Sequence, residues 1–131
     1  MSREIKFRAW SKFPKMFLDM EDACYYLLPF GKLMQITVDK QYRAIHRELD
    51  VVVQLYTGLK DCRGTEICDG DIVKFWVDGH AKSRTAKVKF NTERGRWILF
   101  ATVGHHRDLT AEKASKCEII GNIFENSELL K

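Results

Sequence analysis

Long apolar runs are missing from this 131-residue chain, and so are the motifs on which most catalysis rests. No stretch approaches the roughly 18 apolar residues that a membrane helix needs. The opening Met1-Ser-Arg-Glu-Ile-Lys-Phe-Arg mixes charges at once, unlike a secretory leader. The expectation is therefore a cytoplasmic protein without a membrane partner, its cysteines reduced. Two prolines exclude a Pro-rich linker, and the length suits one domain over residues 1–131. There is no Cys-x-x-Cys, and Cys62 and Cys68 stand too far apart for a zinc knuckle. Neither Gly-x-Ser-x-Gly nor a phosphate-binding loop occurs. Nucleophilic hydrolysis, nucleotide turnover and structural zinc thus have no support. The chain reads as a non-enzyme with no cofactor.

What is present is turn and strand chemistry. A 45% hydrophobic and 31% charged composition is that of a globular protein rather than a disordered tail. The stretch 55–75 carries Gly58, Gly64 and Gly70 at steps of six, each among polar turn formers. Strands are expected at 5–10, 33–38, 51–56, 72–77, 85–90, 96–102 and 117–124, the last interrupted at Gly121-Asn122. Residues 15–20 return as the second arm of an N-terminal hairpin, and 21–30 fits a short helix or a strand. Residues 39–50 read as a loop or one helical turn. Residues 103–115 read as a loop with a helical turn at 110–114, and 127–130 as a short turn. Along 85–90, Ala86, Val88 and Phe90 should point inward and Thr85, Lys87 and Lys89 outward. Several short strands with regular turns predict a mainly β, small barrel-like domain with at most short helical turns. Its central sheet would join 51–56, 72–77, 85–90, 96–102 and 117–124, with the hairpin packed on it.

Four groups of residues could carry chemistry. Asp69-Gly70-Asp71 could hold a divalent cation or share a proton, but reads better as a tight turn with Asp side chains on backbone amides. Cys62 and Cys68 could face each other across a hairpin as a redox pair, while Cys24 and Cys117 read as small core residues. His46, His80, His105 and His106 read as loop histidines, since no Asp, Glu or Cys stands at ligand spacing. Lys82, Arg84, Lys87, Lys89, Arg94 and Arg96 cluster on one hairpin beside Trp97. Basic residues among aromatics are how small barrels hold single-stranded nucleic acid, whereas lysines on a solvated sheet face or edge are the plainer reading. A net charge of +4 permits such a partner without requiring it.

Three segments resemble the YopX family of small phage and prophage proteins. They are Arg3-Glu4-Ile5-Lys6-Phe7-Arg8-Ala9-Trp10; Tyr56-Thr57-Gly58-Leu59-Lys60-Asp61 through Gly64, Glu66-Ile67 and Gly70-Asp71-Ile72-Val73; and Ile120-Gly121-Asn122-Ile123-Phe124-Glu125-Asn126 with Glu128-Leu129-Leu130. Ser11, Cys68 and Ser127 depart from the family pattern, which makes Cys62 and Cys68 local to this protein. The resemblance implies a compact fold with a barrel core of SH3-like character, encoded by a phage or prophage. It implies no established activity, and Trp10, Gly58, Gly64, Gly70, Asp71, Gly121 and Asn122 as structural positions. A binding module acting through a protein partner or self-association follows, with nucleic-acid binding by the basic hairpin as the alternative.

Overall fold

The structure is a computed structural model that describes residues 6–20, 24–76, 83–101 and 106–130. Among these, 56% are strand and 7% helix, with a curled half-barrel sheet, so the mainly β, barrel-like expectation holds. The strands are β1 (Phe7–Ser11), β2 (Met16–Phe17), β3 (Tyr25–Leu27), β4 (Leu33–Val38), β5 (Ala44–Glu48), β6 (Val51–Lys60), β7 (Glu66–Cys68), β8 (Asp71–Trp76), β9 (Ser83–Asn91), β10 (Arg96–Ala101), β11 (His106–Asp108) and β12 (Glu118–Asn122). A one-turn helix α1 (Ala111–Ala114) precedes β12, and a 3-10 turn (Ser127–Leu130) follows it. Two compact units result: Phe7–Gln54, and Leu55–Lys131 with Met1–Lys6.

The second unit is built on a five-stranded sheet in the order β11-β10-β9-β8-β12. Alternation places Val73 and Phe75, Ala86 and Val88, and Leu99 and Ala101 on one face, where they pack with Ile67, Leu109, Ala114 and Cys117. Each fully buried Val or Leu contributes roughly 1.5–3 kcal/mol, so this layer is the unit's main source of stability. Thr110 starts α1 as expected, its hydroxyl accepting the Lys113 amide at 3.2 Å. The second half of β6 pairs with β7, and the register shifts between Tyr56 and Lys60.

In the Phe7–Gln54 unit, β1 and β2 form the N-terminal hairpin, pairing Trp10 with Phe17 and Ser11 with Met16. The Trp10 and Phe17 rings meet edge to face at 4.9 Å. A three-stranded sheet in the order β3-β4-β5 completes the unit. The ambiguous stretch at 21–30 resolves as strand β3, with 21–23 outside the described residues.

Five local expectations are corrected. Residues 39–50 are not a loop: Asp39 accepts the Gln41 and Arg43 amides at 2.8 and 2.9 Å, and this turn folds β5 back on β4. Gly58 is not a turn residue. It takes φ 85° inside β6 at the register shift, while Thr57 donates to the Ile67 carbonyl at 2.8 Å. Strand 51–56 belongs to a different sheet from β8–β10, whose other edge is β11. The last strand runs through Gly121-Asn122 and stops there, because Asn122 accepts the Phe124 and Glu125 amides and turns the chain. Phe90 is exposed rather than inward, at the open end of β9 against Trp97. The turn expected at Asp78-Gly79 lies outside the described residues.

Candidate functional site

The basic hairpin forms, but not as one surface. Asn91 accepts the Arg94 amide at 3.0 Å and Gly95 takes φ 64°, closing β9 onto β10. The register sets Lys87 opposite Phe100, Lys89 opposite Ile98, and Trp97 opposite Phe90. Since neighbours along a strand face opposite ways, Lys87 and Lys89 lie on one face, and Arg84, Phe90 and Trp97 on the other. Arg96 and Arg94 both reach Asp108 of β11, at 2.8 and 3.9 Å, so their charge is partly matched. Trp97 packs against the core. Lys82 lies outside the described residues.

A different constellation takes the hairpin's place on the Lys87 face. Lys87 sits 5.2 Å over the Phe100 ring, which stacks on His106 at 3.8 Å and 29°. On β8, Lys74 lies 5.6 Å from the Trp76 ring, and Trp76 is 43% exposed. Cross-strand pairing of Lys74 with Thr85 and of Ile72 with Lys87 puts both clusters on one face. Each cation is attracted by the quadrupole of the ring beneath it. Part of this face is closed, because Ile72 and Ile98 are buried and the C-terminal 3-10 turn lies against β9. The grouping was missed because it depends on which face each strand presents once paired, although β8 and β11 lie only a few residues from the hairpin along the chain. The alternation of Val73 and Phe75 with Lys74 and Trp76 was the readable signal.

The other candidate groups serve the backbone. Asp71 is buried and accepts the Cys68 amide at 2.7 Å, which is the tight-turn reading. Asp61, not singled out from sequence, is also buried and accepts the amides of Arg63, Thr65 and Ile119 at 2.9–3.0 Å. Burial pushes its carboxyl up, but the Ile119, Thr65 and Arg63 amides and the Arg63 charge together hold it below the ordinary 3.8. Cys62 and Cys68 do not face each other: Cys68 is opposite Tyr56, and the Cys62 amide bonds the Cys117 carbonyl at 2.8 Å. Cys24 is exposed rather than in the core, whereas Cys117 is buried as expected. His46 Nδ1 lies 2.9 Å from the Tyr26 hydroxyl on the β3–β5 sheet, not in a loop. His106 belongs to β11, and His80 and His105 are outside the described residues. Among the described residues no three His, Cys, Asp or Glu side chains gather as a metal site, and no helix is long and apolar enough to cross a membrane.

The Phe7–Gln54 unit offers a strand edge. β5 lies at the end of its sheet with all five residues exposed. Around it Val38 is 63% exposed, Tyr42 91% and Ile45 46%.

The YopX protein family model matches residues 6–131. The chain belongs to the YopX family. Two solved structures share its fold over nearly their whole lengths. Protein EF1440 from Enterococcus faecalis is 23% identical with a TM-score of 0.62, covering 99% of this chain and 100% of its own. Protein yopX from Bacillus subtilis is 19% identical with a TM-score of 0.64, covering 95% and 97%. No match was found among curated protein sequences. In this YopX-family chain the motif positions are built into backbone geometry. Trp10 is buried, Gly58 marks the shift in β6, and Gly64 and Gly70 take positive φ in the turns flanking β7. Asp71 and Asn122 accept amides, and Gly121 lies against the Asn126 side chain.

Proposed function

We propose that this YopX-family chain is a phage- or prophage-encoded, cytoplasmic, non-enzymatic binding module that works by protein contact at the β5 edge. The observation that carries this reading is an edge strand whose five residues, Ile45 among them, are all exposed, with exposed Val38 and Tyr42 beside it. An outer strand offers backbone donors and acceptors to a partner strand, and neighbouring apolar side chains add area. The non-enzymatic reading is supported by the buried carboxylates, since Asp61 and Asp71 are both engaged by backbone amides. The test is site-specific photo-crosslinking from β5 in the host cell, together with light scattering across concentration. A discrete protein adduct, or a second copy, is expected at β5. It should be lost in His46→Pro and Ile45→Lys variants whose circular dichroism is unchanged. Unchanged adducts in both variants would refute the edge.

A second reading is favoured by the Lys74, Trp76, Lys87, Phe100 and His106 face: single-stranded nucleic acid with bases stacked on the rings. Fluorescence anisotropy with labelled oligonucleotides would then show binding that weakens steeply with salt. Lys87→Glu with Lys89→Glu should abolish it. No binding at low salt would eliminate this reading.

A further inference from the structure

The second unit holds a cavity of about 220 Å³ that shares only Trp76 with the surfaces above. Its floor is apolar, formed by Phe75, Leu99 and Cys117, all buried. Trp76, at the end of β8, closes one side of it. The rim carries three cations, Arg107, Lys113 and Lys116, and one carboxylate, Glu112. Glu112 lies 3.8 Å from Lys116. Among the described residues, Arg107 and Lys113 have no acidic side-chain partner. The register explains the gathering: Arg107 pairs with Leu99 and so emerges beside the floor, while α1 carries Lys113 above Cys117.

We infer that this cavity binds a small planar organic anion, an aromatic ring bearing a phosphate or carboxylate. The volume is below the roughly 300–1,000 Å³ of drug-sized pockets, so it suits one ring system rather than an extended ligand. A ring buries its faces against Phe75 and the rest of the apolar floor, and its anionic group reaches the rim. An excess of two cations there favours an anion over a neutral or cationic ring of the same shape. Arg107 offers a planar fork that matches a carboxylate or phosphate in two hydrogen bonds, and Lys113 adds a mobile point charge. A free aromatic anion and a mononucleotide share this chemistry.

The test is a heteronuclear NMR titration of the full chain with phenyl phosphate, adenosine monophosphate and uncharged adenosine. The backbone amides of Trp76, Arg107, Lys113 and Cys117 should shift with the two anions and not with adenosine. The Lys113→Glu, Lys116→Glu double variant should bind at least tenfold more weakly, with the remaining spectrum unchanged. Arg107→Ala serves as an independent second variant and should weaken binding similarly. Lys87→Glu with Lys89→Glu should leave the titration unaltered, which separates this site from the nucleic-acid face. Equal affinities for the two anions assign a general aromatic anion, and preference for adenosine monophosphate assigns a nucleotide. No shift at these amides, equal shifts with adenosine, or undiminished binding in both rim variants would overturn the site.

Discussion

Asp61 shows how one side chain can close three separate backbone groups. One carboxylate oxygen accepts the Arg63 and Thr65 amides, and the other accepts Ile119, 58 residues away. Removing it leaves three part-buried donors without this acceptor. A fully buried unsatisfied donor costs about 1–3 kcal/mol, and water reaching these lowers the cost of each. Asp61→Ala should therefore lower stability by about 2–3 kcal/mol at neutral pH, and Asp61→Asn by less, since one oxygen remains. Because the folded-state carboxyl is held below 3.8, its contribution is present above that value and is lost as pH falls through the lowered one. Urea unfolding at pH 7 and near pH 3 should show the gap between wild type and Asp61→Ala narrowing in acid; a gap independent of pH would contradict the assignment. Asp71 was legible from sequence, because its partner is Cys68, three positions away. Asp61 was not, because nothing local points to Ile119.

Elements were legible where burial imposes a period, and illegible where it does not. In β9, Ala86 and Val88 are buried while Thr85, Lys87 and Lys89 between and beside them are not. Strand β5 was lost because all five of its side chains are exposed, so no alternation marks it. The interruption expected at Gly121-Asn122 came from reading glycine as a breaker. Here it is a space requirement: a Cβ on Gly121 would stand 2.6 Å from Asn126 Oδ1 and 2.8 Å from its Cβ. Gly121→Ala should destabilise by about 1–3 kcal/mol through this overlap. In an Asn126→Gly background the same change should cost clearly less, because the obstructing side chain is gone. A thermal-melt double-mutant cycle reads the coupling, and additive penalties would show that the clash is not the cause.

Across the molecule, the mainly β class and the turn positions around Gly64, Gly70 and Gly95 were readable, since turn chemistry is local. Most of the main sheet was readable too, since 72–77, 85–90, 96–102 and 117–124 share it. The place of 51–56 was not, because β6 pairs with β7 across a register shift that no local pattern marks. The candidate site suffered the same limit: basic residues adjacent in sequence separated onto two faces. Burial is also uneven, with Val73, Val88 and Leu99 inside and Ala44–Glu48 outside. Amide hydrogen exchange should accordingly be slowest in the middle of β8, β9 and β10 and orders of magnitude faster in β5. Equal protection in both would mean that β5 is covered in solution.

The cysteines divide in the same way. Cys24 and Cys62 are exposed, and Cys68 and Cys117 are buried. Burial, with Cys62 and Asp61 nearby, pushes the Cys117 thiol up to about 11, so at neutral pH it is protonated as well as shielded. A brief maleimide pulse would then add two mass increments to the folded chain, and four only to molecules caught open. The native sequence thus carries its own covalent counter for transient opening, readable by mass spectrometry without any engineered label.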